Sequence, residues 1–118
     1  MKIHEIRSVG GESTLREVTV PVEQAPNGLS TQLGPATETL IQQVPERDWG
    51  SLHPAPHRQL VVVLEGRLEV RCPDGTAATF DVGQALLASD TDSEGHFTRN
   101  TAATLLVIRL PAAATTRD

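Results

Sequence analysis

The run Leu60-Val61-Val62-Val63-Leu64 constrains this chain most. β-branched residues lose χ1 freedom in a helix and pack well on a pleated surface, so three in succession favour a strand. Five apolar residues without alternation fit a strand buried on both faces. Glu65-Gly66 follows, and then Arg67-Leu68-Glu69-Val70-Arg71 alternates, with Leu68 and Val70 on one side. The two segments read as a hairpin whose second strand is half-exposed. Pro73-Asp74-Gly75 reads as a further turn, because Asp-Gly accepts the positive φ of tight hairpins.

The rest of the chain repeats this short-strand pattern. Leu15 to Val22 sets Val18, Val20 and Val22 at period two, and Pro21 points to an edge or a strand end. Ala25 to Pro35 reads as a loop, being rich in Pro, Gly, Asn and Ser. Ala36 to Val44 fits a strand or a short helix, and its neighbours favour the strand. Thr79 to Gly83 leads into a strand over Gln84 to Ala88, and Ser89 to Gly95 is a polar loop. Thr101 to Leu110 is a last strand that Pro111 ends, with a frayed tail beyond. Ile3 to Val9 and Leu15 to Val22 are candidate sheet edges. No long amphipathic helix and no repeat of solenoid length is visible. Short strands at this spacing predict an all-β sandwich or barrel.

Composition sets the outer limits. A chain of 118 residues suits one domain. Its core is expected over about 49–110, with N-terminal strands and a loop over 1–48 and a flexible tail over 111–118. Ten basic against fifteen acidic residues give a net charge of −5, which argues against nucleic acid and anionic membranes. No apolar run approaches the ~20 residues of a membrane span. Met1-Lys2-Ile3-His4-Glu5 lacks the layout of a signal peptide, so a cytoplasmic location is expected. The single cysteine, Cys72, excludes an internal disulfide and a multi-cysteine metal site. With only Trp49, Phe80 and Phe97 as aromatics, the core must be aliphatic, and Trp49 is expected to plug a barrel end.

Chemistry concentrates in His53-Pro54-Ala55-Pro56-His57-Arg58-Gln59. Two histidines four apart suit one face of a helix, but Pro54 and Pro56 force extended backbone. In an extended segment positions 53, 55, 57 and 59 share a side, so His53, His57 and Gln59 can face one cavity. His96 follows a hairpin, two strands and a loop, which lets the chain return it to the same place. Imidazoles and an amide oxygen both ligate first-row divalent metals. The competing reading is three histidines that are merely hydrogen-bonded or partly buried.

These segments resemble the cupin superfamily. Its first motif pairs two histidines ahead of a Glu or Gln, with a glycine seven residues later. Gln59 and Gly66 stand in that relation. Its second motif runs from a glycine through a strand to a histidine, with an asparagine four residues later. Gly83, His96 and Asn100 match it. The chain looks closer still to a group of small bacterial cupins. Trp49-Gly-Ser-Leu-His53-Pro-Ala-Pro56-His57-Arg58-Gln59 and Asp90-Thr91-Asp-Ser-Glu-Gly95-His96-Phe97-Thr98-Arg99 carry that likeness, with Glu12-Ser13 and the stretch ending at Pro21.

The resemblance covers about Trp49 to Leu110 and implies a double-stranded β-helix, the jelly-roll cupin barrel. It implies a divalent metal ion at His53, Gln59 and His96. The second histidine of the first motif is Ala55 here, and His57 is our own candidate to replace it. It also implies a homodimer and a small-molecule ligand.

The expected function is metal-assisted, non-redox small-molecule chemistry of isomerase, lyase or cyclase type, with His57 the catalytic base if it is not a ligand. The alternatives are a degenerate cupin that binds a small ligand without turnover, and a metal-dependent dioxygenase. The missing carboxylate ranks the oxygenase lower. Arg58 and Arg99 read as surface ion pairs or as anchors for a substrate carboxylate. Asp92 and Glu94 read as solvated loop acids. Cys72 has no histidine beside it and is not a candidate nucleophile.

Overall fold

The computed structural model describes residues 1–112; the tail expected over 111–118 lies outside them from residue 113 onward. Eleven strands and no helix occur among the described residues: β1 (Lys2–Val9), β2 (Glu12–Thr19), β3 (Glu23–Ala25), β4 (Gly28–Ser30), β5 (Glu38–Val44), β6 (Gln59–Glu65), β7 (Leu68–Arg71), β8 (Ala77–Phe80), β9 (Ala85–Ala88), β10 (Phe97–Asn100) and β11 (Ala103–Arg109). The fold is therefore all-β. Among the described residues no helix is long and apolar enough to cross a membrane.

Six strands form one sheet in the order β2-β1-β9-β6-β11-β5. Three form a second, β10-β7-β8, and β3-β4 is a small ribbon inside the segment expected as a loop. None of these sheets closes on itself among the described residues.

The valine run becomes β6, flanked on both sides by β9 and β11. Val61 and Val63 face inward and are buried, whereas Leu60 and Val62 are half-buried on the outer face. The expected hairpin between β6 and β7 does not form. Among the described residues β6 pairs only with β9 and β11, and β7 only with β10 and β8. Gly66 is where the chain passes from one sheet to the other. Its φ is +80°, and a Cβ there would stand 2.4 Å from the Ala102 carbonyl oxygen, so only glycine fits the crossing. The Asp74-Gly75 turn does join β7 to β8 as an antiparallel pair.

β1 is not an edge. It lies between β2, its antiparallel partner, and β9, with which it runs parallel. This explains why Ile6 is fully buried although it sits outside the stretch expected to hold the core. One hydrophobic cluster joins Ile6 and Leu15, Val61, Val63, Leu86, Leu105 and Val107 of the large sheet to Leu68, Val70 and Phe80 of the small one. Burying side chains of this size stabilises by about 1.5–3 kcal/mol each.

Candidate functional site

The segment Arg47–His53 is not a named strand, yet it runs antiparallel along β10. Arg47 and Asn100 exchange both backbone hydrogen bonds, the Gly50 amide donates to Thr98, and His53 and His96 again exchange two bonds of 3.1 and 2.9 Å. Residues directly opposed in an antiparallel pair place their side chains on the same side. The rings of His53 and His96 accordingly lie with centroids 5.0 Å apart. Gly95 permits the approach. Its φ is +108°, and a Cβ would stand 2.1 Å from the His53 carbonyl carbon.

The two rings differ in surroundings. His53 is exposed, and its Nδ1 lies 3.0 Å from the Ser51 carbonyl oxygen. His96 is buried, and its Nδ1 lies 2.6 Å from Asp90 Oδ2. Asp90 itself is completely buried. The same Oδ2 accepts from the Ser13 hydroxyl at 2.5 Å, and Oδ1 receives a longer 3.4 Å contact from the Ala55 amide. Ser13, also fully buried, is bonded in turn to Ser93. A carbonyl oxygen only accepts, so His53 must carry its proton on Nδ1 when neutral. His96, facing an acceptor carboxylate, does likewise. Each ring therefore keeps its Nε2 lone pair unused. This is the arrangement in which an outer partner fixes the tautomer of a ligating or basic histidine.

Gln59 opens β6 on the inner face. It stands opposite Ala88 on one side and Arg109 on the other. His57 is exposed on a bend at Pro56-His57, while Ala55, two residues earlier, is buried. The expected common side for positions 53, 55, 57 and 59 thus breaks at that bend. Among the described residues no three His, Cys, Asp or Glu side chains converge to hold a metal ion. The structure brings His53 and His96 together and leaves His57 outside that contact.

Trp49 plugs no barrel end. It lies on the outer face of the small sheet, with the Arg71 guanidinium 4.4 Å and the Arg99 guanidinium 4.8 Å from its ring. Arg99 grips Glu69 through Nε and Nη2, both at 2.8 Å. That bidentate bond holds the Glu69 carboxyl below its usual range. Of the two readings of Arg99, the structure shows the ion pair. A concavity of about 560 Å³ borders it, lined by Glu46, Arg47, Asp48, Glu69, Arg99, Asn100 and Thr101, away from the histidine pair.

Asp90 and Ser13 are the site residues that spacing could not reveal. Both lie within the segments that carry the cupin likeness, which was the one available signal. Scanned against protein-family models the sequence matches none, and no curated protein matches it.

Proposed function

We propose that the chain is a small-molecule enzyme of cupin type, its two sheets forming a jelly roll around a site built on His53 and His96. One observation carries this reading: both rings have Nδ1 tied to an oxygen acceptor and Nε2 free, 5.0 Å apart between centroids. The donor set suits a divalent cation, with the two Nε2 atoms as its imidazole ligands and the Gln59 amide as a neutral third donor. An ion bound there supplies Lewis-acid polarisation of a ligand carbonyl. Asp90 keeps the His96 ring in one tautomer and orientation. Gly95 keeps the His53 backbone close enough for the pairing. His57, exposed on its bend, is the group free to move a proton between ligand and solvent.

A second reading follows from the absence of a third converging acid or histidine among the described residues. In it the His96–Asp90 dyad acts alone, its Nε2 accepting a proton from a bound ligand without an ion.

Titration of metal-free protein with Zn²⁺ and with Mn²⁺, followed by imidazole ¹⁵N NMR, separates the two. The first reading expects one ion per chain, joint shifts of the His53 and His96 Nε2 signals, and loss of binding in His53→Ala and His96→Ala. Binding of neither ion, or binding that both variants retain, overturns it in favour of the dyad.

A further inference from the structure

A third basic group, Arg109, stands on the inner face of the large sheet. The cross-strand register sets Glu38 of β5, Arg109 of β11, Gln59 of β6, Ala88 of β9 and Ile6 of β1 in one row. Directly opposed residues share a side, and Ala88 and Ile6 of this row belong to the buried core, so Arg109 and Gln59 start from its inner side. Asp90, the partner of His96, follows Ala88 by two residues.

Arg109 is incompletely paired among the described residues. Its Nη1 bonds Glu38, while its Nε is buried and meets no acceptor among them. Arg99 shows what the full pairing of such a fork looks like, with Nε and Nη2 both on one carboxylate. A buried donor left without a partner is unfavourable, and a guanidinium fork is shaped for two carboxylate oxygens. Glu38 lies on an edge strand with its side chain 57% exposed, against 27% for Arg109, so it is readily displaced.

We propose that Arg109 anchors the carboxylate of a small organic acid, with Glu38 as the resident carboxylate that the ligand replaces. Two strand spacings of ~4.8 Å separate the Arg109 backbone from that of Ala88, two residues before Asp90, so the guanidinium lies on the strand row that leads toward the partner of His96. This names the ligand class for the site proposed above and rests on that reading only for what happens at the other end of the ligand.

Butanoate and the uncharged butanamide, of the same shape, are the probes. Each is titrated into ¹⁵N-labelled full-length protein, and the Arg109 Nε–H signal is followed. Butanoate is expected to shift it saturably and butanamide to leave it in place. Arg109→Gln should weaken butanoate binding by about tenfold or more, and Glu38→Gln should strengthen it by roughly two- to fivefold by removing the competitor. Should Arg109→Gln not fold, the sign of the Glu38→Gln effect decides: unchanged or weaker binding overturns the anchor. Butanoate that shifts only His53 and His96 signals also overturns it and leaves the histidine pair standing. Binding at Arg109 that survives His53→Ala supports the anchor even where the ion-binding test fails.

Discussion

Asp90 and Glu69 are both carboxylates held by a basic side chain, and they sit in opposite worlds. Asp90 is fully buried and gathers His96, Ser13 and the Ala55 amide. Glu69 lies on the outer face of the small sheet, where Arg99 saturates it and Trp49 stacks beside the guanidinium. The contact at Glu69 engages both carboxylate oxygens in one bidentate clamp. The contact at Asp90 is complete only at Nδ1 of the ring and leaves Nε2 over. Burial adds the second difference. Dry electrostatics act at higher strength, and an unmet buried group is costly, so the inner cluster is held to one geometry while the outer one is screened by water.

The strongest way to break this comparison is Asp90→Ala. It leaves the His96 Nδ1 and the Ala55 amide without their acceptor, and the Ser13 hydroxyl with Ser93 alone. Each buried donor left unsatisfied typically costs about 1–3 kcal/mol. The urea midpoint should fall accordingly at pH 7, with the slope unchanged. A fall no larger than that of a surface substitution would mean that Asp90 is not the hub its burial indicates.

This contrast was only half legible in the sequence. The valine run and the alternation of Leu68 and Val70 identified β6 and β7, because side-chain periodicity is a local property. Their assignment to different sheets was not legible. That depends on the crossing at Gly66 and on pairing with strands up to β11, which local pattern does not encode. His53 and His96 came out as neighbours, as their motifs suggested. His57 did not join that contact, since parity arguments hold only while the backbone stays extended, and the chain bends at Pro56-His57. Asp90 appeared only as the first residue of a cupin-like segment, with no role of its own. Its role arises from Ser13, 77 residues away in sequence and adjacent in space. Arg109 read as the end of an apolar strand, and only the register with Gln59 and Glu38 gives it a place.

Cys72 offers a smaller effect on the buried side of the comparison. Desolvation pushes its thiol up to about 11, and a hydrogen bond to Thr76 opposes this only in part. The unfolded thiol ionises near 8.5–9. Below that pH both states hold the proton and stability is flat. Between about pH 9 and 11 the unfolded chain loses its proton first, so stability falls as pH rises, and it levels off beyond. The full slope is about 1.4 kcal/mol per pH unit, so the total loss over this interval is at most about 2–3 kcal/mol. The chain suits the measurement, for it has no tyrosine and its only lysine is Lys2. Cys72→Ala should remove the fall in urea midpoint between pH 8.5 and 11. A decline that persists in the variant would assign it to another group.

The smallest effect belongs to Glu69→Gln. Arg99 loses a charged acceptor there but keeps water and its stacking on Trp49. Exposed ion pairs contribute little because both partners are well solvated when apart. The folded carboxyl lies below its usual value, so whatever it contributes is present at neutral pH and fades as pH falls through the folded value. At pH 7 the urea midpoint of Glu69→Gln should match that of the unaltered protein within error, in low and in high salt. The same variant should leave the His53 and His96 imidazole signals in place, since the two clusters occupy opposite faces of the small sheet. A stability loss approaching that of Asp90→Ala would show that the outer clamp holds β7 and β10 together, and the distinction between a wet, closed pair and a dry, open one would then no longer separate surface from site.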